Sequence, residues 1–186
     1  MLQEHTPLMA QRISITGTSS LLIQAVEDCA RFNLRIAPEH LKLASKAFGC
    51  SLPSKIGAVD VSGGRLALCL GPDEWQLYAP PATSEAIETA FAQLYAKCPH
   101  SLVDVSHREI GISVDGTAAV LALRSACAFD LEAMAPGTGM RTIFDKAQIV
   151  LIRHGDDRFR IEVWRSFATH VWGLLKAASS EIALGI

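Results

Sequence analysis

The densest cluster of side chains that could do chemistry is Asp104-Val-Ser106-His107-Arg108. A hydroxyl, an imidazole and a carboxylate are the three groups of a hydrolase triad. Successive residues of an extended chain face opposite sides, however, so Ser106 and His107 are poorly placed for a nucleophile–base hydrogen bond. Cys127, a second possible nucleophile, has no base at a suitable spacing. We therefore expect no catalytic residue on this chain, and the spacing disfavours a hydrolase that depends on Ser106 or Cys127.

Metal-ligating residues are present but scattered. The six histidines and five cysteines include no C-x-x-C and no pair of histidines at ligand spacing, and only Cys98-Pro-His100 comes close. The sequence therefore predicts no metal site and no disulfide framework. We expect the cysteines to act as small apolar residues, as in Leu68-Cys69-Leu70.

Four residues are candidates for an interface with another protein: Trp75, Arg108, Trp164 and Arg165. Tryptophan and arginine are enriched among interface residues that contribute strongly to binding. Trp75 and Trp164 each lie on a strand of a predicted hairpin, where packing in the core is the alternative role.

Composition restricts the class of protein. The 186 residues are 49% hydrophobic and 19% charged, which excludes a disordered chain and a coiled coil. The net charge of −2 makes nucleic acid an unexpected partner. No apolar run is long enough to span a membrane, and the polar start of the chain is unlike a secretory signal, so we expect a cytoplasmic protein. The low charged fraction also suggests that part of the surface is apolar and covered by a partner.

Periodicity predicts an alternation of strands and helices. A flexible tail over residues 1–11 precedes one domain over 12–186, with possible halves at about 12–105 and 106–186. The predicted strands are 12–16, 32–36, 56–61, 65–70, 75–79, 101–105, 110–114, 149–152 and 159–163. The predicted helices begin near Pro38, near Thr83 or Ser84, at Thr117 and at Ser166, with Ser166 as the cap of the last one. Gly49 is expected to end the first helix. The apolar stripe of the last helix is expected to be Phe167, Val171, Leu174, Leu175 and Ala178. Residues 128–146 are expected to be irregular.

The order hairpin, helix and strand occurs near residues 65–105, and a second hairpin and helix follow near 147–178. This pattern predicts an α+β fold with mainly antiparallel sheets, helices packed on them, and split β-α-β (ferredoxin-like) units.

Several segments together resemble one family. The most specific are Cys69-Leu-Gly-Pro-Asp-Glu-Trp75-Gln-Leu and Trp164-Arg-Ser-Phe-Ala168, which is followed by Val171-Trp172. The others are Val103-Asp-Val-Ser-His-Arg108, Cys127-Ala-Phe-Asp-Leu131 with Pro136-Gly137 and Arg141-Thr142, Ile149-Val-Leu-Ile-Arg153, and Asp156-Asp-Arg-Phe159. Their order and spacing over about residues 60–180 resemble the gamma subunit of heterotetrameric sarcosine oxidase.

This resemblance implies a fold related to the folate-binding domain of the glycine-cleavage T-protein, in two split β-α-β halves. It also implies a non-catalytic structural subunit. Such complexes oxidise sarcosine to glycine, with formaldehyde or 5,10-methylenetetrahydrofolate and hydrogen peroxide as the other products. The implied partners are the alpha, beta and delta subunits. The implied cofactors, FAD, FMN, NAD, tetrahydrofolate and zinc, are carried by those subunits and none by this chain.

A different class of function follows from the implied fold alone. Under this alternative hypothesis, the chain is a self-standing module that binds tetrahydrofolate or transfers one-carbon groups. Such a module needs a carboxylate to contact the pterin ring, for which Asp104 and Asp130 are the candidates.

Overall fold

The computed structural model describes residue 8 and residues 11–186. The tail predicted over residues 1–11 lies outside the described residues except for Leu8 and Gln11. Leu8 is fully buried in a hydrophobic core.

The described chain contains strands and helices in the following order. They are β1 (Arg12–Ile15), β2 (Leu21–Ala25), β3 (Ala30–Ile36), α1 (Leu41–Phe48), β4 (Val59–Ser62), β5 (Arg65–Gly71), β6 (Glu74–Ala79), α2 (Ser84–Leu94), β7 (His100–Asp104), β8 (Glu109–Asp115), α3 (Ala119–Arg124), β9 (Thr138–Phe144), β10 (Ala147–Gly155), β11 (Arg158–Trp164) and α4 (Arg165–Leu184). Short 3₁₀ helices, Pro38–His40 and Pro81–Thr83, precede α1 and α2. None of the helices in this described part is long and apolar enough to cross a membrane.

The chain divides into two units, each with its own sheet and core. One unit is formed by Asp28–Ser106 together with Gly137–Met140. The other is formed by the described residues up to Glu27, by His107–Pro136 and by Arg141–Ile186. We call them the Asp28–Ser106 unit and the His107–Ile186 unit.

The Asp28–Ser106 unit is built on a five-stranded antiparallel sheet in the order β4-β5-β6-β3-β7. Leaving out the edge strand β4, the chain runs β3-α1-β5-β6-α2-β7, which is the split β-α-β arrangement. Apolar side chains of α1 and α2, such as Phe48 and Phe91, join Phe32 and Leu77 of the sheet in one core. This core holds both helices against one face of the sheet.

The His107–Ile186 unit is built on a six-stranded sheet in the order β1-β2-β8-β11-β10-β9. Here β8-α3-β10-β11-α4 repeats the same split arrangement, and β2, from earlier in the chain, pairs antiparallel with β8. Ala122 of α3 and Val171 of α4 share a core with Ile112 and Ile161 of the sheet. The predicted α+β class, with antiparallel sheets and helices packed on them, is confirmed.

Glycine ends α1 in the way the sequence predicts. Gly49 has φ +76°, the left-handed conformation that L side chains rarely adopt, and its N–H donates to the Ser45 carbonyl. Arg65 also stabilises this end of the helix, because its Nη1 donates to the carbonyl of Phe48, the last residue of α1, at 2.6 Å. The same guanidinium lies over the Phe48 ring, 5.8 Å from its centroid.

Two local predictions are wrong. Ser166 is not the cap of α4, because the helix begins at Arg165 and Trp164 occupies the cap position without a side-chain hydrogen bond. The segment 128–146 is not irregular throughout, because Thr138–Phe144 forms the edge strand β9. Gly137 and Gly139 interrupt the residue pattern that is typical of a strand. Pairing with β10 satisfies the backbone hydrogen-bonding groups of β9, and the local sequence does not reveal this pairing.

Candidate subunit interface

Trp164 is a large aromatic side chain that remains 44% exposed. It is the last residue of β11 and pairs with Glu109, the first residue of β8. Strand β11 leads directly into α4, so the ring lies at the junction between a sheet and a helix.

Arg108, in the turn just before β8, contacts the Trp164 ring. Its guanidinium carbon is 5.5 Å from the ring centroid, a cation–π contact. Its Nη2 donates to Glu109 Oε1 at 2.7 Å. The Arg108 side chain is 45% exposed and that of Glu109 is 6% exposed, so the guanidinium faces solvent and the carboxylate does not.

Arg165 fixes the same junction through the backbone. Its N–H donates to the Arg108 carbonyl at 2.8 Å, and its Nε donates to the His107 carbonyl at 3.0 Å. Phe167 follows in the first turn of α4 and is 37% exposed. We refer to Arg108, Trp164, Arg165 and Phe167 as the aromatic–arginine cluster. The structure thus brings together three of the four residues proposed from sequence as interface residues.

Phe167 is the member of this cluster that sequence reasoning missed. Helical spacing predicted it on the buried stripe of the last helix, whereas the buried face contains Ala168, Val171, Trp172 and Leu175. Residues 167 and 168 fit the helical spacing of 171, 175 and 178 about equally well, so spacing alone could not show which of the two is buried.

Trp75 lies in the core and not on the surface, where the interface role suggested by the sequence would require it. It is 1% exposed in the core of the Asp28–Ser106 unit, where it pairs with Cys69 across β5 and β6. Its Nε1–H donates to the Pro53 carbonyl at 2.8 Å. The physical reason is its side of the strand: the ring faces α1 and α2 rather than solvent, and so supports the fold.

The two carboxylates proposed as folate ligands both support turns. Asp104 Oδ1 accepts from the Ser106 N–H at 2.7 Å. Asp130 Oδ1 accepts from the N–H groups of Glu132 and Ala133 at 3.1 and 3.3 Å. Both carboxylates are exposed, and they lie in different units. Their geometry is that of local turns.

The possible nucleophiles are also engaged in the fold. Ser106 Oγ accepts from the Arg31 N–H at 2.9 Å, which joins the end of β7 to β3. Cys127 is buried at the end of α3 in the core of the His107–Ile186 unit. Each of these side chains therefore has a structural role.

The five cysteines are free thiols, of which Cys29 is partly exposed and the other four are buried. Burial raises the pKa of Cys50, Cys69 and Cys98 above the ordinary value, which disfavours the reactive thiolate. Within the described residues, no group of three or more His, Cys, Asp or Glu side chains has the proximity to hold a metal ion.

An open cavity of about 340 Å³ lies between α3, the β9–β10 turn and α4 of the His107–Ile186 unit. Arg124, Cys127, Asp145 and Leu174 are among the residues that line it. Asp145 has φ +52° and accepts a hydrogen bond from His170 Nε2 at 2.8 Å. This hydrogen bond is the main reason why the pKa of Asp145 lies below its ordinary value.

The arrangement of sheets and helices defines the class of protein. The chain is similar to the glycine cleavage system aminomethyltransferase T from Bartonella henselae, with a TM-score of 0.64 and 12% identity over 82% of this chain and 44% of that chain. At this identity the likeness concerns the fold alone. The protein is therefore an α+β chain with a T-protein-like fold, as predicted.

Sequence comparison gives the family. The sequence profile of the sarcosine oxidase, gamma subunit family matches residues 36–181. The sarcosine oxidase subunit gamma of Corynebacterium sp. (strain U-96) is 30% identical over 188 residues, covering 96% of this chain and 89% of that protein. The chain belongs to the sarcosine oxidase gamma subunit family.

A solved structure agrees with this assignment. A chain of the heterotetrameric sarcosine oxidase from Corynebacterium sp. U-96, in complex with pyrrole 2-carboxylate, matches with a TM-score of 0.82 and 28% identity. The match covers 91% of this chain and 89% of that one. The sequence-based recognition of the family is confirmed.

Proposed function

We propose that this chain is the non-catalytic gamma subunit of a heterotetrameric sarcosine oxidase, in which it contacts larger subunits through the aromatic–arginine cluster. The complex oxidatively demethylates sarcosine to glycine. Its other products are hydrogen peroxide and either formaldehyde or 5,10-methylenetetrahydrofolate. The partners are the alpha, beta and delta subunits, and the complex works in the cytoplasm.

The observation that carries this proposal is the match over nearly the full length of a chain from a solved heterotetramer. The local geometry supports a structural role as well. The aromatic–arginine cluster presents two partly exposed aromatic rings and an exposed guanidinium at one junction of strand and helix, and these residue types are enriched in protein–protein contacts. The polar residues proposed for chemistry, Asp104, Ser106 and Asp130, instead support turns and strand ends.

The cofactor arrangement is part of the same proposal. The flavins FAD and FMN, NAD, tetrahydrofolate and zinc belong to the partner subunits, and this chain binds none of them. Oxidation of an amine by hydride transfer needs a flavin or a nicotinamide. This chain therefore contributes to the reaction through assembly.

The test is purification of the tagged chain from its source cell grown on sarcosine, with an absorbance spectrum of the eluate. We expect larger chains to co-elute with a flavin band near ~450 nm and with sarcosine-dependent peroxide formation. Failure of the wild-type chain to capture any flavin-bearing chain, in vivo and on co-expression, would contradict the proposal.

Calorimetric titration of the isolated chain with tetrahydrofolate tests the alternative class of function. A gamma subunit without a cofactor site gives no binding heat at millimolar ligand. A saturable binding heat that is lost in Asp104→Asn or Asp130→Asn would instead identify a folate-binding module.

A further inference from the structure

We infer that the aromatic–arginine cluster docks an acidic segment of a partner subunit. A carboxylate of that segment binds Arg108, and an apolar side chain beside it packs on Trp164 and Phe167. This inference rests on the proposed function and specifies the chemistry of the contact.

The charge of the cluster selects the partner. The carboxylate that contacts Arg108 belongs to Glu109, which is 6% exposed, while the Arg108 side chain is 45% exposed. Solvent therefore meets the positive group of this ion pair and hardly meets the negative one. A partner surface of opposite sign is the complement.

The hydrogen-bonding capacity of Arg108 points to a carboxylate in particular. Glu109 accepts from Nη2, and within the part of the chain that the structure describes the Nε and Nη1 groups have no acceptor. A guanidinium presents its donors in a fixed plane that matches the two oxygens of a carboxylate. Desolvating Arg108 against an apolar surface alone would leave these donors unsatisfied, at a cost in binding free energy.

The cluster is held in place before any partner binds. The Arg108 guanidinium stacks on Trp164, and the Arg165 N–H and Nε bind the carbonyls of Arg108 and His107. Side chains that are already ordered lose less conformational entropy on association. The exposed face of Trp164, with Phe167 one helical turn away, then supplies apolar area for the residue that flanks the carboxylate.

The inference is tested by co-expressing variants of this chain with the flavin-bearing subunits and measuring the affinity of the assembled complex. We expect Arg108→Glu and Trp164→Ala each to weaken binding by at least about tenfold, the effect of losing a central interface residue. Arg108→Lys, which keeps the charge but loses the planar donors, should give an intermediate loss. Because the contact is ionic, the loss in Arg108→Glu should shrink as salt is raised.

Matched controls are available on the same unit. Arg124 is 57% exposed and forms an ion pair with Glu132 at 3.0 Å, so Arg124→Glu makes the same charge change elsewhere. Ile143 is a 58% exposed apolar residue of β9, so Ile143→Ala is the control for Trp164→Ala. These two variants should assemble like the wild type.

The outcomes separate this inference from the proposed function. If the wild-type chain does not assemble at all, the proposed function fails. If the wild type assembles and the cluster variants bind as tightly as their controls, the docking inference is overturned while the function stands. If the isolated chain is a dimer that Trp164→Ala dissociates, the occupant is a second copy of this chain and the inference is likewise overturned.

Discussion

The Arg108 guanidinium lies over the Trp164 ring, 5.5 Å from its centroid, although 56 positions separate the two residues in the sequence. The antiparallel pairing of β8 with β11 brings them together, because it places Trp164 opposite Glu109, the neighbour of Arg108. The pairing of these two strands therefore creates the exposed feature on which the proposed contact with other subunits depends.

The first prediction separates the two tryptophans of the hairpins. Trp75→Ala removes a fully buried ring and its hydrogen bond to Pro53, so it should destabilise the fold by about 3–5 kcal/mol. Trp164→Ala removes a ring that is 44% exposed and should cost about 1 kcal/mol or less. Thermal melting of the isolated chain measures both changes. Equal losses would contradict the assignment of one ring to the core and the other to the surface.

The second prediction concerns the glycine that ends α1. Gly49→Ala forces an L side chain into a left-handed conformation, at about 1–2 kcal/mol, and places its Cβ against the Arg65 guanidinium. Gly63 has φ +57° with open space around its Cβ position, so Gly63→Ala should pay only the conformational cost. We expect Gly49→Ala to lower the melting temperature more, because Arg65 must then release the Phe48 carbonyl. Equal effects would show that Arg65 moves aside freely.

The third prediction concerns the loop that contains Leu131 and Met134. Arg153 donates to the carbonyls of both residues and stacks on Phe159, 5.2 Å from its centroid. Arg153→Lys keeps the charge but loses the planar set of donors, so the loop should open at least about tenfold more often. Hydrogen exchange at the Met134 amide measures this opening, since that amide donates to the Leu131 carbonyl.

The control for this variant is Arg124→Lys. Arg124 also contacts the loop, through Glu132, but both side chains of that ion pair are exposed. Exchange at Met134 should be nearly unchanged in the control. The same increase in both variants would mean that Arg153 does not hold the loop.

The fourth prediction is a pH dependence at Asp145. Because the His170 hydrogen bond lowers the pKa of Asp145 from its ordinary value of 3.8, the interaction stabilises the folded state above that ordinary value. This stabilisation is lost as the pH falls through the lower, native pKa. His170→Ala should raise the pKa of Asp145 towards the ordinary value, and His170→Gln, which retains a neutral donor, should raise it less. NMR titration of the Asp145 carboxyl carbon measures this pKa in the wild type and in both variants. An unchanged midpoint in His170→Ala would show that the His170 hydrogen bond does not lower the pKa of Asp145.

The sequence by itself determined most of the local elements, with β2 and β9 as the strands it missed, and, through motif resemblance, the family. The two hairpins were predicted close to their observed bounds, because strand alternation and turn residues such as Gly71-Pro-Asp-Glu74 act over short distances. The α+β class followed from the order of these elements, and Gly49 marked the end of α1 for the same local reason.

Tertiary structure alone decided what depends on contacts distant in sequence. Strand β9 forms where its neighbour β10 offers backbone partners, although its own glycine, Gly139, obscures the pattern. Trp75 and Trp164 both lie on hairpin strands, yet one ring is buried by two helices and the other is exposed at a strand end. Burial depends on which elements cover a face of the sheet, and Arg108 meets Trp164 only after β8 and β11 have paired. These relationships arise from packing between distant segments, which the sequence specifies only through the complete fold.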